Sequence, residues 1–267
     1  MGGLHHVTAI SGAAAENVLF YRNLLGMRLV KRTVNFDDPG TWHLYFGDDA
    51  GRPGSLMTFF PWANAARGLA GSGETVEVRL GVPKGSLGRI VERFGATRFA
   101  DPDGLRLAVE ETDAAIGITG VKLQVPQIEP TAAILTDVLG FTRESDTRFG
   151  SPGGHVELEA VPGGPRGRLG RGTVHHIAFR AQSDAAQQAM AERLFSQYGI
   201  ATTEQKDRNY FRSIYFREPG GVLFEIATDE PGFAVDEPME TLGQTLKLPE
   251  FLEAHRAQIE AALPRFD

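Results

Sequence analysis

The chain has 267 residues, 42% of them hydrophobic, with a net charge of −7 and no cysteine. That size allows one large or two small packed domains. The acidic balance, with no basic stripe, argues against nucleic acid as a partner, and the missing thiols exclude disulfides, thiolate metal sites and thiol nucleophiles. No apolar run approaches the roughly 20 residues that cross a bilayer, so no membrane partner is expected. The opening MGGLHH lacks a basic-then-apolar leader pattern, so the cytoplasm is the expected location. The 32 glycines imply many tight turns, as in a β-rich fold with short connections.

In chain order, LHHVTAI from Leu4 reads as a strand, and AAENVLFYRNLLGM as a helix of 3.6-residue period ending at Gly26. HLYFGDDAGRPGSLMTFF then reads as two strands joined by a Gly-rich turn. Two weaker copies follow. One is TVEVRLGVP, a helix near SLGRIVERFGA, and DPDGLRLAVEE; the other is ITGVKLQVP, PTAAILTDVLGF and GSPGGHVELEAVP. The last copy, from Val174, matches the first well: VHHIAFR, then DAAQQAMAERLFSQYGI ending at Gly199, then FRSIYFREPGGVLFEIAT.

The order β-α-β-β-β therefore recurs four times. The expected division is 1–73, 74–116, 117–172 and 173–230, with the middle two modules degenerate, followed by a tail over 231–267. That tail reads as a loop and one helix, LPEFLEAHRAQIEAAL, with a charged exposed face. The Gly/Pro clusters at 61–73 and 162–172, including PGGPRGRLGRG, read as flexible linkers. One such unit leaves a sheet edge and a face uncovered, so units must pair into curved-sheet cups. The expected fold class is α+β with two cups, modules one and four sharing a metal site and modules two and three forming an empty partner.

Aligning the copies sets His6 opposite His176 and Glu225 opposite Thr58. The inner modules carry Ala108 and Leu158 at the glutamate position, and Val76 or Val121 near the histidine position. One pair of modules thus offers two imidazoles and a carboxylate, and the other offers nothing. Two histidines and one carboxylate on one face of a divalent cation form the ligand set of non-haem Fe(II) oxygenases, with three adjacent positions left open. Mn(II) or Zn(II) would fit the same atoms, and a glutamate in place of Thr58 would point instead to Lewis-acid isomerisation.

A lone strand histidine is usually an ordinary half-buried residue, but two His-His dipeptides at matching points of a repeat are not expected by chance. Strand neighbours face opposite ways, so alternation admits one ligand from each pair, and the pattern does not say which. Glu225 shares a strand face with Leu223, where a carboxylate requires a partner or a metal. Tyr215 lies on the neighbouring strand, and Tyr45 holds the corresponding place in module one. His43, two residues before Tyr45, is a further pocket candidate. Arg208 is by default a solvated charge; His155 and His255 read as structural or solvent-facing.

The opening GLHHVTAISG…ENVLFYRNLLGMRLVKRTVNFDDPGTWHLYFGDDAGRPGSLMTFFPW resembles the vicinal-oxygen-chelate superfamily of glyoxalase, bleomycin-resistance and extradiol-dioxygenase type. Within it, the similarity is to ring-cleaving dioxygenases acting on hydroquinones. DRNYFRSIYFREPGGVLFEIATDEPGF and LGQTLKLPEFLEAHRAQIEAALP match the same family. The resemblance covers the outer modules closely and the inner pair loosely, and the middle of this chain is shorter than the family pattern. It implies that His6, His176 and Glu225 bind iron, and that His5, His175, Arg208 and Tyr215 surround the substrate.

The expected activity is therefore an Fe(II)-dependent, extradiol-type ring-cleaving dioxygenase opening a hydroquinone-type ring with O2. The expected partners are a small aromatic diol and O2, with a homo-oligomer left open. The alternatives are a metal-dependent glyoxalase-like isomerase or lyase, and a non-catalytic small-molecule-binding protein. The missing fourth ligand counts against the first, and the retained triad against the second.

Overall fold

The computed structural model describes residues 2–266. The first module comprises β1 (Leu4–Ser11), α1 (Ala14–Val18), β2 (Arg28–Asn35), β3 (Asp38–Gly47) and β4 (Leu56–Pro61). The second holds β5 (Glu74–Pro83), α2 (Leu87–Phe94), β6 (Arg98–Ala100) and β7 (Arg106–Thr112). The third has β8 (Gly117–Val125), α3 (Ile128–Ala133), β9 (Thr142–Arg143), β10 (Arg148–Ser151) and β11 (Gly154–Ala160). The fourth has β12 (Thr173–Ala181), α4 (Asp184–Tyr198), β13 (Lys206–Asp207), β14 (Arg212–Arg217) and β15 (Leu223–Thr228). The second module contributes three strands where the others contribute four. Its segment between α2 and β7 is too short for a further hairpin.

Two mixed sheets result. Eight strands run in the order β13-β14-β15-β12-β1-β4-β3-β2, and seven in the order β6-β7-β5-β8-β11-β10-β9. The outer modules join through the antiparallel pair β1–β12, and the inner ones through β5–β8. Helices pack on the sheets, α4 against β12 and β15, α2 against β7 and α3 against β11, and the central strands β1 and β4 are buried along their whole length. A continuous core, including Leu4, Phe59, Leu80, Leu123, Phe179 and Ile226, fills the space between the sheets and helices.

The helices differ from a plain 3.6-residue reading. α1 passes into π-helical turns over Leu19–Leu24, and α3 does so over Ile134–Val138. The wider ladder shows where Leu25 N donates to Phe20 O and Leu139 N donates to Ile134 O. α4 is regular: the Ser183 hydroxyl accepts from Ala186 N at its start, and Gly199, at φ 65°, ends it.

The two Gly/Pro clusters are not flexible linkers. Gly68 N donates to Arg171 O, Arg171 N to Ala66 O, and Leu69 and Arg168 exchange both backbone bonds. The segments form a paired ribbon in which the chains approach too closely for side chains: a Cβ on Gly71 would lie 2.5 Å from Pro165 O. The tail also departs from expectation. Its single helix is broken into α5 (Glu250–Glu253) and α6 (Arg256–Ala262). Leu248, Leu252, Ile259 and Leu263 bury against Val34, with Trp42 packed alongside. Charges on the outer face hid this apolar stripe. No helix among the described residues is long and apolar enough to cross a membrane.

Candidate metal centre

Strict alternation would turn neighbouring histidines to opposite faces, but the β1–β12 pair carries a bulge at each dipeptide. Leu4 pairs with Phe179 and His6 with Ala178, so His5 is an extra residue. Thr8 pairs with His176 and Ala9 with Val174, so His175 is another. Each bulge turns the first imidazole beside the second. His5 Nδ1 lies 2.9 Å from His6 Nδ1, and His175 Nδ1 lies 2.8 Å from His176 Nδ1.

This contact fixes protons. His5 Nε2 is 3.1 Å from the Thr228 carbonyl, which only accepts, so His5 carries its proton on Nε2. Burial and the neighbouring His6 lower His5 to about 3, so it is neutral and its Nδ1 accepts. His6 must then donate from Nδ1, so the tautomer that can bind a cation is the one presenting the Nε2 lone pair.

β15 runs parallel to β12, and Glu225 stands beside Ala178 and opposite Tyr215. Its Oε2 lies 3.3 Å from His6 Nε2 and 2.9 Å from His176 Nε2. All three residues are buried, and a ligand atom from each lies within 4.8 Å of the others. Burial would raise the Glu225 carboxyl, but positive charge on His6 and His176, in the forms where they carry a second proton, holds it well below the usual carboxylate range, and a cation among the three would act in the same sense. Burial lowers His176. Glu225 Oε1 accepts from Ser213 Oγ at 2.5 Å, whereas Oε2 accepts no hydrogen bond among the described residues. A buried carboxylate oxygen without a donor, faced by two imidazole nitrogens, is costly unless a cation stands among them. The donor set suits a divalent ion.

The triad forms the floor of a cavity of about 340 Å3. Aromatic walls come from Phe36, Phe60, Trp62 and Phe211. Of the polar residues singled out from the sequence, His175, Arg208, Tyr215, His43 and Tyr45 line this cavity. His5 does not; it sits behind His6 and acts on it. Burial and the neighbouring His176 lower His175 to about 3, so it too is neutral. Arg208 Nε donates to the Tyr215 hydroxyl at 3.3 Å, and its Nη2 to Asp37 at 2.9 Å. Burial raises the Tyr215 phenol well above its ordinary value, so it keeps its proton. A larger groove of about 900 Å3 lies beside α2, lined by Arg22, Arg89 and Arg93, and shares no residue with the triad. The buried convergence of potential ligand atoms, not cavity size, marks the candidate site.

Sequence reading missed Ser213 and Asp37. Ser213 lies two residues before Tyr215 on one strand face, so alternation offered a signal for it. Asp37 reaches Arg208 across 171 residues of sequence, for which no local pattern exists. The inner-module alignment was also one residue out. In the second sheet the bulge residues are Val76 and Thr119, so Glu77, not Val76, corresponds to His6, and Gly120, not Val121, to His176. Lys122 pairs with Glu157 as Ala178 pairs with Glu225, so Glu157, not Leu158, takes the glutamate position. Ala108 does correspond to Thr58.

Similarity to known proteins agrees with this fold. The chain is 45% identical to MhqO of Bacillus subtilis (strain 168), which carries the name of a ring-cleaving dioxygenase, over 99% of this chain and 96% of that protein. It is 31% identical to the chlorohydroquinone/hydroquinone 1,2-dioxygenase of Sphingobium indicum, over 96% of this chain and 94% of the relative. The MhqO alignment spans 303 positions against 267 residues here, so the relative carries segments this chain lacks. A crystal structure of a Bacillus subtilis protein designated a dioxygenase matches with TM-score 0.92 at 42% identity, covering 99% of this chain and 97% of that one. Glyoxalase I from Zea mays shares the fold alone, with TM-score 0.64 at 12% identity, over 86% of this chain and 93% of that one. The family model matches residues 3–68 and 117–226, passing over the short second module. The chain belongs to the Glyoxalase/Bleomycin resistance protein/Dioxygenase superfamily.

Proposed function

We propose that this chain is an Fe(II)-dependent dioxygenase that opens a hydroquinone-type ring beside a hydroxylated carbon, placing both atoms of O2 in the product. The observation that carries this reading is the three-ligand set, with Thr58 where a fourth carboxylate would stand. Three protein ligands leave coordination positions for both an aromatic hydroxyl and dioxygen. The names of the relatives in Bacillus subtilis and Sphingobium indicum support the same chemistry.

In this reading His6, His176 and Glu225 hold the metal, whose role when bound is to activate dioxygen and the deprotonated diol together. His5 locks His6 as a lone-pair donor, and Ser213 turns Glu225 so that Oε2 faces inward. Phe60, Trp62 and Phe211 hold the ring and exclude water. Tyr215, kept protonated and hydrogen-bonded to Arg208, stands ready to give a proton to a reacting oxygen, with neutral His175 as an acceptor beside it. A hydroquinone can present only one hydroxyl to the metal, so protein groups must hold the other. A site built that way rejects analogues lacking the hydroxyl.

Anaerobic loading with Fe(II), followed by oxygen uptake with hydroquinone and with catechol, tests the proposal. Stoichiometric uptake with a ring-opened product and preference for hydroquinone is expected. A clear catechol preference would overturn the para-diol assignment. No uptake with either diol by the fully loaded protein would overturn the oxygenase reading.

A further inference from the structure

We propose that Tyr45 is a second substrate-binding phenol, aimed into the cavity by a relay of Thr8, Thr58 and His43, and that it donates a hydrogen bond to the diol oxygen the metal does not hold. The proposal rests on the diol reading above. Its structural basis is separate: it follows from where four protons must go.

Thr8 Oγ1 lies 2.7 Å from Thr58 Oγ1, Thr58 Oγ1 lies 2.9 Å from His43 Nε2, and the Tyr45 hydroxyl lies 2.9 Å from His43 Nδ1. Thr8 and Thr58 are fully buried. Burial holds His43 well below its usual range, so it is neutral with one ring proton. Two polarities are conceivable. In one, Tyr45 donates to His43 and His43 to Thr58, which leaves a hydroxyl proton on Thr8 or on Thr58 buried with no acceptor among the described residues, whichever way those two hydroxyls bond. In the other, Thr8 donates to Thr58, Thr58 to His43 Nε2, and His43 Nδ1–H to the Tyr45 oxygen. Every proton then has a partner except that of Tyr45, which lines the cavity. Folded chains avoid buried donors without acceptors, so the second polarity holds. Tyr45 becomes a donor with its oxygen already polarised by His43.

Register supports the role. Tyr45 stands opposite Thr58 as Tyr215 stands opposite Glu225, on corresponding strands of the first and fourth modules. Each phenol accepts a hydrogen bond from a protein donor, His43 in one case and Arg208 in the other. Two phenols thus serve a substrate with two oxygens. Thr58 also gains a purpose: its hydroxyl, engaged by Thr8 and His43, orients Tyr45 instead of reaching a metal.

Two measurements on the full chain loaded with Zn(II), which is diamagnetic and does not turn over, test this without oxygenation. Nitrogen-15 spectra of histidine-labelled protein read the His43 tautomer; protonation at Nδ1 is expected, and protonation at Nε2 overturns the relay. Equilibrium binding of hydroquinone and of phenol, which lacks the second oxygen, reads the contact. Tyr45→Phe should weaken hydroquinone about tenfold, the scale of one hydrogen bond, and leave phenol unchanged. Thr58→Val should follow in the same direction, and Thr58→Ser, which keeps the hydroxyl, should restore the wild-type ratio. Equal loss for both ligands, or none, overturns the assignment. Failure of the Fe(II) protein to consume oxygen would overturn the dioxygenase reading while leaving these binding ratios interpretable.

Discussion

The two cups of this protein share a topology and carry bulges at matching points, yet they meet the same electrostatic problem in opposite ways. In the first, His6, His176 and Glu225 converge and bring no cation of their own. In the second, Glu77 and Glu157 take the places of His6 and Glu225. Gly120 replaces His176, and the His155 ring fills its missing side chain, lying within 2.4 Å of where a Cβ would be. The Arg79 guanidinium sits among these groups: Nε donates to Glu77 at 2.9 Å, Nη1 lies 3.1 Å from His155 Nε2, and Nη2 donates to Glu157. Lys122 adds a second cation beside Glu157 and Glu159. The second cup is therefore closed by an internal cation at the position where the first calls for an external one. Degenerate modules need not lose a site by losing its acids; here two acids stand and an arginine neutralises them.

The comparison breaks most sharply at Glu225. Glu225→Ala should reduce the metal content of purified protein from one equivalent to near zero and ring cleavage to background, with cooperative unfolding retained. Elemental analysis alongside a thermal melt checks this. Undiminished metal in the variant would remove Glu225 from the ligand set.

A smaller effect is expected from Ser213→Ala, which leaves the carboxylate but frees its orientation. Partners that orient metal ligands are worth about 10–100-fold in affinity, and competition with a fluorescent chelator would read the change. An unaltered dissociation constant would mean that the backbone alone aims Glu225.

In the second cup, Arg79→Met should leave metal stoichiometry untouched and lower stability by about 1–3 kcal/mol. That figure lies between exposed and fully buried ion pairs because Arg79 and Glu157 are only partly covered. Urea unfolding of the metal-free protein measures it. Acid sensitivity is the finest test. Burial raises the Glu157 carboxyl, but Arg79 outweighs burial and holds it below its ordinary value. A folded-state pKa below the unfolded one means that the unfolded chain binds more protons in acid. The stabilisation is then present above the unfolded value and lost as pH falls through the lowered one. Glu157→Gln should flatten the stability profile below about pH 4.5, and an unchanged slope would place the acid lability elsewhere.

Periodicity carried much of this molecule. The two His-His strands, the αL glycines ending the first and fourth helices, and the repeat that pairs distant modules are all local patterns. They sufficed for the α+β fold, the two-cup architecture and the cluster of His6, His176 and Glu225, because a repeat aligns residues 219 apart by number alone (225 − 6). Tertiary structure decided what depends on register and proton position. The face of a strand is set by which residues pair, and the apolar pattern of the inner modules does not fix that to within one residue, so Val76, Val121 and Leu158 were misplaced by one and the Arg79 cluster stayed invisible. The β1–β12 bulges turned His5 into the partner that sets the His6 tautomer. The ordered ribbon at 61–73 and 162–172 arises where two glycine-rich segments, each unstructured by its own pattern, supply each other's backbone hydrogen bonds. Asp37 on Arg208 and Thr58 on His43 likewise depend on strands meeting in space, which no spacing along the chain encodes.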